Sequence, residues 1–244
     1  MDKDAKDDLF SRHRDAGAGF RFDNAVARVF PDMVRRSVPC YPQLVELTGL
    51  LGERFIRPGT RCYDLGCSLG AVTLSIMERV PEPTCQFVAV DNSPAMVAAL
   101  AGRLRGTPAR ERVNAVCADL SSVRIENASL VVLNLTLQFI RPDRRLGLLS
   151  DIRRALVPGG ALILSEKIRA ADPEADRLLT VLHEDYKRAR GYSELEISRK
   201  RAALDQVLIP DDLELHQERL HRAGFRRSLR WFQCLNFVSF LAWT

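Results

Sequence analysis

Four short apolar segments in the middle of the sequence each end in small or polar residues whose types suit nucleoside binding. The first segment runs into a turn with Gly66, Cys67 and Ser68, where small residues let the backbone approach a ligand. Asp91 ends the second segment, at a distance along the chain from which a carboxylate can accept both ribose hydroxyls. The glycine turn and the carboxylate together predict a nucleoside pocket.

The third and fourth apolar segments also end in polar residues. Asp119 and Leu120 follow the third segment and are expected beside the adenine, whereas Asn134 ends the fourth and is expected to face the reacting part of the ligand. Each of these residues alone could equally be an ordinary cap or turn residue. Because four consecutive segments end in this way, coincidence is the weaker interpretation.

The elements that must position these residues follow from the hydrophobic pattern. Short apolar runs alternate with longer amphipathic ones from Arg61 onward, which is typical of βαβ units around a buried parallel sheet. The pattern predicts five strands, at Cys62 to Leu65, Phe87 to Val90, Val113 to Cys117, Leu130 to Leu133 and Ala161 to Leu164. It predicts helices after Gly70, from Ser93-Pro94, and from about Asp143 to Leu156, the last stopped by Pro158-Gly159-Gly160.

The two ends of the chain carry different patterns. Residues 22–56 have helical apolar spacing, with interruptions expected at Pro31, Pro39 and Pro42. Residues 173–223 are strongly helical, and Ser193 with Glu196 forms a capping box at the start of one helix. Residues 228–243 are apolar and aromatic around Asn236, which predicts an antiparallel hairpin.

The composition and the charge pattern indicate which kinds of partner the protein binds. The chain has 244 residues and 46% hydrophobic residues, and its 36 Lys and Arg against 31 Asp and Glu give a net charge of +5. The basic residues are dispersed, so we expect a small anionic partner and no direct contact with nucleic acid. No metal site is expected, because His216 and His221 point to different helix faces and His183 has no second ligand at helical spacing.

The cysteines and the N-terminus indicate a compartment. The six cysteines contain no C-x-x-C pair and are expected to be buried free thiols, at positions 40, 62, 67, 85, 117 and 234. The first eight residues lack the apolar core of a signal peptide, and no apolar stretch reaches membrane-span length. We therefore expect a cytoplasmic protein that makes no membrane contact.

A different class of enzyme also fits one motif. The segment from Gly66 to Gly70 matches G-x-S-x-G, the nucleophile elbow of α/β hydrolases, with Ser68 as nucleophile and His183, His216 or His221 as base. The elbow should follow several earlier strands, however, and here it follows the first. The hydrolase hypothesis also leaves Asp91 and Asp119 unexplained, so it stays the alternative.

Taken together, these segments resemble class I S-adenosylmethionine-dependent methyltransferases. The resemblance rests on Tyr63 to Gly70, Asp91, Asp119, and Leu156 to Gly160 before the fifth strand. It implies a Rossmann-like α/β fold with a mostly parallel seven-stranded sheet, an antiparallel C-terminal strand and an N-terminal helical cap. We expect one domain over 1–244, with the cap over 1–56 and a helical insertion over 168–224.

A narrower resemblance covers nearly the whole chain. The segments that carry it are Val29 to Met33, Arg36 to Pro39, Asp91 to Met96, Thr136 to Phe139 and Gly191 to Ser198, which are similar to the carboxy-S-adenosyl-L-methionine synthase family. That family converts S-adenosylmethionine and prephenate to carboxy-S-adenosylmethionine and phenylpyruvate. Its members are homodimers, and their product serves a tRNA carboxymethyltransferase that modifies wobble uridine. A methyltransferase acting on RNA or a small carboxylate, or a sensor without catalysis, stays open.

The resemblance also implies ligand contacts, residue by residue. They are Tyr41, Gly66, Cys67, Ser68, Asp91, Asn92, Asp119, Leu120, Asn134 and Arg201. Arg201 is expected to bind the product carboxylate with two parallel hydrogen bonds, from the packed face that it shares with Ile197, Leu204 and Leu208. The chain departs from the family at Cys40, where glycine is usual, at Leu135, where an aromatic residue is usual, and at Asn24, where an acidic residue is usual.

Overall fold

The architecture is that of a parallel sheet covered by helices. A computed structural model describes residues 5–11, 19–81, 84–205 and 207–243. Its strands are β1 (Thr60–Leu65), β2 (Cys85–Asp91), β3 (Val113–Cys117), β4 (Ala128–Asn134), β5 (Leu156–Arg169), β6 (Asp211–Asp212), β7 (Arg227–Cys234) and β8 (Phe237–Trp243). The helices are α1 (Asn24–Ser37), α2 (Tyr41–Glu53), α3 (Ala71–Met77), α4 (Pro94–Leu104), α5 (Ala109–Arg112), α6 (Pro142–Ala155), α7 (Pro173–Ala189), α8 (Glu194–Leu204) and α9 (Leu213–Arg222).

The main sheet has the order β3-β2-β1-β4-β5-β8-β7, and β6 pairs separately with β5. Strands β1 to β5 pair in parallel, whereas β8 runs antiparallel to both of its neighbours. This is the mostly parallel seven-stranded sheet with an antiparallel C-terminal strand that the sequence predicts. Because all the parallel strands point the same way, their carboxyl ends meet at one edge.

The sheet forms because its strands are apolar on both faces. Strand β4 is buried along its length up to its last residue, and its side chains alternate between two hydrophobic clusters that lie on opposite faces of the sheet. The five predicted strands are confirmed, and the predicted C-terminal hairpin is β7 with β8. Strand β5 is longer than predicted, because α6 ends at Ala155 and Pro158-Gly159-Gly160 lies within the strand.

The interruption predicted at Pro31 is wrong. Helix α1 begins at the Asp23 cap, whose side chain accepts a hydrogen bond from the N–H of Val26, and continues through Pro31. Its apolar face, which includes Val29 and Met33, packs in one cluster with residues of the glycine turn and α4, and this burial outweighs one missing hydrogen bond. The breaks at the other two prolines are confirmed, since α1 ends before Pro39 and Pro42 lies in the first turn of α2.

Candidate functional site

All ten residues expected to contact the ligand line one cavity of about 370 Å³ at the carboxyl edge of the sheet. The size lies within the range of roughly 300–1,000 Å³ that is usual for small-molecule sites. The residues from β1, β2, β3 and β4 reach the cavity directly after their strands, and Tyr41 and Arg201 come from α2 and α8. The fold therefore brings these residues together, while their individual binding roles stay predictions.

The glycine turn after β1 approaches its neighbours too closely for a side chain. Gly66 has a φ of +83°, and a Cβ there would lie 2.3 Å from Oγ1 of Thr136. The N–H groups of Gly66 and Cys67 both donate to the carbonyl oxygen of Val90, at 2.8 Å and 2.9 Å. These bonds hold the turn against the end of β2, and Ser68, at a φ of +48°, continues the tight path into α3.

Asp91 is held in place by backbone groups. Its two carboxylate oxygens accept hydrogen bonds from the N–H of Ser68 and the N–H of Ser93, both at 2.9 Å. Burial raises the pKa of Asp91, and the two backbone donors oppose this rise. Because each oxygen retains a second lone pair, the carboxylate can still accept hydrogen bonds from a diol in the cavity.

The sequence left open whether Asp119 is a cap or a residue of the ligand cavity, and both interpretations apply. Its side chain accepts hydrogen bonds from the N–H of Ser121 at 2.8 Å and from its hydroxyl at 2.6 Å, which caps the short 3-10 turn Leu120–Ser122. These bonds lower the pKa of Asp119. The residue is therefore a cap, and it also lines the cavity beside Leu120.

Asn134 presents a polar atom without a partner. Its Oδ1 atom is buried and accepts no hydrogen bond from any residue that the structure describes. The loop after Asn134 is fixed by the buried carboxylate of Glu166, which accepts the N–H groups of Leu137 at 2.7 Å and Gln138 at 2.8 Å. Since buried acceptors are nearly always paired, the free Oδ1 indicates a donor group of a ligand.

Sequence analysis missed a buried acid in the cavity wall. Asp64, in β1, accepts hydrogen bonds from the hydroxyl of Thr73 at 2.6 Å and from its N–H at 3.1 Å. Burial raises the pKa of Asp64 to about 6 despite these donors. It also contributes, after burial itself, to the raised pKa of Tyr41. Asp64 was part of the glycine motif, but a strand residue gives no signal of which cavity it reaches.

Arg201 lies in a group of cations in the cavity wall away from Asp91 and the glycine turn, which we call the cationic end. The group consists of Lys167 from β5, Lys187 from α7, and Lys200 and Arg201 from α8, and sequence analysis missed its three lysines. Burial and repulsion from the other three cations lower the pKa of Lys187 to about 7. Lys200 is paired, since its Nζ lies 2.8 Å from Ser37 Oγ and 3.5 Å from Asp7 Oδ2.

His183 lies within this end but remains neutral. Its Nε2 atom lies 2.7 Å from the carbonyl oxygen of Ser37, so that nitrogen carries the proton and donates it. Burial, followed by repulsion from Lys187 and Lys167, lowers the pKa of His183 to about 3. The histidine therefore contributes shape and a fixed hydrogen bond, not charge.

The structure corrects the expected orientation of Arg201. The buried residues of α8 are Ile197, Lys200 and Ala203, and the Arg201 side chain is 57% exposed. Its guanidinium forms an ion pair with Glu184 at 2.8 Å while it lines the cavity. Leu204 and Leu208, which the sequence places on the same face, line the cavity together with Arg201, so this face borders the cavity and is not packed against other residues.

The cysteine prediction is confirmed in part. Cys62, Cys67 and Cys85 are buried, but Cys40 and Cys117 are exposed and Cys234 is partly exposed. Cys234 lies on the edge strand β7, and its Sγ atom is 3.2 Å from Sγ of Cys40, just outside the cavity wall formed by Tyr41. An edge strand and a junction between helices have solvent on one side, which the apolar pattern around these cysteines did not reveal.

The hydrolase alternative gains no support from the geometry. Ser68 uses its N–H to bind Asp91, and no histidine in the described ranges forms a hydrogen bond with the Ser68 hydroxyl. His216 packs against Phe240 and is buried on another part of the sheet. A base for Ser68 is therefore missing from the histidines that the sequence offered.

Across residues 5–11, 19–81, 84–205 and 207–243, no three His, Cys, Asp or Glu side chains are grouped so that they could hold a metal ion. No helix within these ranges is both long and apolar enough to span a bilayer.

The geometry agrees with the comparisons with known proteins. A family model for a methyltransferase domain matches residues 63–160. Human N-acetylserotonin methyltransferase, solved in complex with SAM, superposes with a TM-score of 0.61 at 18% identity, over 91% of this chain and 55% of that one. A riboflavin-derivative dimethyltransferase from Streptomyces davawensis gives 0.58 at 19% identity, over 90% and 58%. The fold is thus that of class I SAM-dependent methyltransferases.

Curated relatives are much more similar to this chain. Carboxy-S-adenosyl-L-methionine synthase from Pseudomonas putida is 53% identical over 240 residues, which cover 97% of each chain. The enzymes of that name from Pseudomonas paraeruginosa and Geobacter sp. are 52% and 50% identical, over 97% of this chain and 95% and 97% of theirs. The chain therefore belongs to the carboxy-S-adenosyl-L-methionine synthase family.

Proposed function

We propose that this protein converts S-adenosylmethionine and prephenate to carboxy-S-adenosylmethionine and phenylpyruvate. One observation carries the proposal: a single cavity joins a nucleoside end, with Asp91 and the glycine turn, to a cationic end suited to carboxylates. An ordinary methyl transfer leaves no new anion on the donor, whereas this product bears a carboxylate next to sulfur. Arg201, at the cationic end, supplies a guanidinium for that group.

At the nucleoside end the chain supplies placement. Asp91 accepts the ribose hydroxyls, Asp119 and Leu120 flank the adenine, and the free Oδ1 of Asn134 accepts a donor from the methionine part. Asn92, Cys67 and Ser68 complete the wall on this side. These contacts bind substrate and product alike, so they set affinity more than rate.

The chemistry itself requires little acid or base from the protein. Aromatisation of prephenate releases its ring carboxylate as carbon dioxide and expels hydroxide. Hydroxide removes a proton from the sulfonium methyl group to give water and an ylide, and the ylide carbon then attacks carbon dioxide. The protein must hold both reactants together and exclude bulk water, which would protonate the ylide. That apolar enclosure is provided by Phe22 and Phe139, whose rings pack edge to face 5.5 Å apart at the cavity, and by the half-buried Tyr41.

The test is mass spectrometry of the purified protein incubated with S-adenosylmethionine, with and without prephenate. We expect carboxy-S-adenosylmethionine and phenylpyruvate in equal amounts, and only when prephenate is present. A protein that binds S-adenosylmethionine but forms neither product would contradict the proposal. Transfer of a methyl group to a small carboxylate acceptor, with S-adenosylhomocysteine as the product, would favour the methyltransferase alternative.

We further propose that the chain folds as one domain, acts as a cytoplasmic homodimer and supplies a tRNA carboxymethyltransferase. Residues 1–4 and 12–18 of the expected cap lie outside the described residues. The homodimer is supported by an apolar stripe on α7, where Leu178, Val181 and Leu182 are 59%, 51% and 39% exposed. Analytical ultracentrifugation of the protein and of a Leu178→Glu variant tests it, with dissociation to a monomer expected for the variant.

A further inference from the structure

The side chains along the carboxyl edge of the sheet change charge from one end of the cavity to the other. Asp119 and Asp91 follow β3 and β2, and Asn134, which is neutral, follows β4. Lys167 lies on β5, two residues beyond Ser165, which pairs with Asn134. With neighbouring strands about 4.8 Å apart, the acid on β2 and the lysine on β5 are separated by roughly 14 Å. The cavity is therefore polarised along its length.

Two of the cations form no ion pair within the described residues, although Glu184 raises the pKa of both and Asp205 that of Lys167. Arg201 pairs with Glu184, and Lys200 pairs with Asp7. Within the described residues, neither Lys167 nor Lys187 has a carboxylate at ion-pair distance or a side-chain hydrogen bond. Both lysines are half-buried in the cavity wall. Burying positive charge without a partner is unfavourable, so two such lysines in one cavity wall indicate an anionic ligand.

The ligand that suits this end has a ring beside its charge. Phe22, Phe139 and Phe237 line the same cavity, and the ring of Phe237 contacts His183 at a centroid distance of 5.2 Å. Lys167 pairs with Phe237 across β5 and β8, so an apolar ring lies directly beside one of the unpaired lysines. A carbocycle that carries a carboxylate would fill both parts of this end at once.

We propose that Lys167 and Lys187 form the subsite for the carboxylate that is retained in phenylpyruvate, the pyruvyl carboxylate of the second substrate. This inference rests on the proposed function. The other carboxylate of prephenate must leave as carbon dioxide, and its charge moves into the ring as the bond breaks. An ion pair with lysine would stabilise that carboxylate in the ground state and slow its loss. The two lysines therefore suit the carboxylate that does not react, while Arg201 takes the one that is transferred to the ylide carbon.

Equilibrium binding of phenylpyruvate to the protein loaded with S-adenosylmethionine tests the subsite without any need for turnover. Calorimetry should give a Kd about tenfold to a hundredfold higher for Lys187→Gln and for Lys167→Gln than for the unmodified protein, as expected for losing a hydrogen bond to a charged group. The Kd of S-adenosylmethionine should change less than about twofold. Lys187→Arg, which keeps the charge, should retain most of the affinity.

Matched controls separate the subsite from general damage. Arg177→Gln removes one positive charge from an exposed position on the same helix α7, outside the cavity wall, and should leave phenylpyruvate binding unchanged. 1-Phenylpropan-2-one, which has the ring and the ketone but no carboxylate, should bind equally weakly to the unmodified protein and to Lys187→Gln. In a steady-state assay, Lys187→Gln should raise the KM for prephenate by the same factor as the Kd of phenylpyruvate, with a smaller change in kcat.

The outcomes distinguish this inference from the proposed function. Unchanged phenylpyruvate affinity in both lysine variants overturns the subsite even if carboxy-S-adenosylmethionine is formed normally. Weakened phenylpyruvate binding in the variants supports the subsite even if the unmodified protein forms no product with prephenate, in which case the proposed function alone fails. Equal losses for phenylpyruvate and for the uncharged ketone would show that the lysines only maintain the shape of the cavity, and would also overturn the inference.

Discussion

The two ends of the cavity are built in opposite ways. At the nucleoside end, the carboxylate of Asp91 is held by two backbone N–H groups, and the turn at Gly66 is held by the end of β2. At the cationic end, Lys167 and Lys187 carry like charges without partners in the described structure. The carboxylate and the turn of the nucleoside end are thus held in place by the protein itself, and only the Oδ1 of Asn134 there awaits a donor, whereas the cationic end is completed electrostatically by the ligand.

The difference follows from the elements that form each end. Strand ends and the adjoining helix starts offer backbone donors at fixed positions, so they suit the nucleoside, which is the part common to substrate and product. The cationic end is formed by side chains from β5, α7 and α8, and long side chains can adapt to a substrate that changes from prephenate to phenylpyruvate. We expect variants of the first end to disturb every step and variants of the second to disturb only those that involve a carboxylate.

The largest effect on ligand affinity is expected at the nucleoside end, from Gly66→Ala. The added Cβ would lie 2.3 Å from Oγ1 and 2.9 Å from Cβ of Thr136, and the residue has a φ of +83°. The turn must shift to relieve this overlap, so it no longer fits the bound ligand, and we expect the Kd of S-adenosylmethionine to rise roughly a hundredfold. Calorimetric titration of the variant and the unmodified protein with S-adenosylmethionine measures the two Kd values.

The control for that variant is Gly102→Ala. Gly102 lies in α4, and a Cβ there meets no atom within 4 Å. Alanine favours a helix interior, so this variant should bind S-adenosylmethionine normally and should unfold at the same temperature or a slightly higher one. If both alanine variants bound equally well, the close approach of the turn would not be what shapes the nucleoside end.

A smaller and more selective effect is expected from Arg201→Met. Formation of carboxy-S-adenosylmethionine should fall about tenfold to a hundredfold, because a hydrogen-bonded charge pair with the product carboxylate is lost. Binding of S-adenosylmethionine should change less than about twofold, since that ligand lacks the new carboxylate. Rapid-quench product assays and calorimetry measure the two quantities on the same preparation.

Arg199→Met is the matched control on the same helix. Arg199 donates to the carbonyl oxygen of Phe10 at 3.0 Å, and it does not line the cavity. The control should keep its rate of product formation. If Arg201→Met lost product formation and S-adenosylmethionine binding equally, Arg201 would contribute to binding of both ligands. It would then not be specific for the product carboxylate, and the two ends would not differ in this respect.

The sequence predicted the nucleoside end far better than the cationic end. The glycine turn, Asp91, Asp119 and Asn134 each follow an apolar strand, and local pattern alone places strand ends at one edge of a parallel sheet. Their convergence needed no knowledge of tertiary packing. The same local logic placed the strands and the capping box at Ser193 correctly.

The cationic end could not be predicted because it depends on packing between distant segments. Lys167 and Lys187 lie in sequence contexts that are equally typical of solvent-exposed faces, where charged residues are common. Pro31 shows the same limit, since its tolerance inside α1 depends on a hydrophobic cluster formed by other elements. Arg201 was found only through the family resemblance, and its ion pair with Glu184 depends on how α8 packs against α7.

A smaller effect still is expected from pH, and only at the cationic end. The pKa of Lys187 is about 7, lowered by burial and by Lys167, Lys200 and Arg201, with Glu184 opposing them. A bound carboxylate favours the charged lysine, so phenylpyruvate should bind most tightly below pH 7 and more weakly above it. We expect the Kd to rise roughly tenfold between pH 6.5 and 8.5.

Calorimetry at several pH values measures this dependence, with S-adenosylmethionine present at saturation. Lys187→Gln should give a higher Kd that changes much less over the same range, because only Lys200, whose pKa burial lowers to about 8 and which is paired with Asp7, still titrates there. The affinity for S-adenosylmethionine should not follow the phenylpyruvate profile. A profile that persists unchanged in Lys187→Gln would assign the titration to another group and weaken the contrast between the two ends.

The smallest expected effect concerns the free energy of unfolding without ligand. Lys187 has a pKa of about 7 in the folded protein against an ordinary value of 10.5, so the folded state binds fewer protons between these values. Its charge therefore destabilises the fold fully below pH 7, and this penalty disappears as pH rises toward 10.5.

Lys187→Gln should raise the Tm by about 2 °C at pH 7, whereas Arg177→Gln on the exposed face should leave it unchanged. Saturating phenylpyruvate should raise the Tm of the unmodified protein more than that of the variant. A lower Tm for Lys187→Gln would mean that the lysine stabilises the fold, and the cationic end would then not depend on its ligand for electrostatic balance.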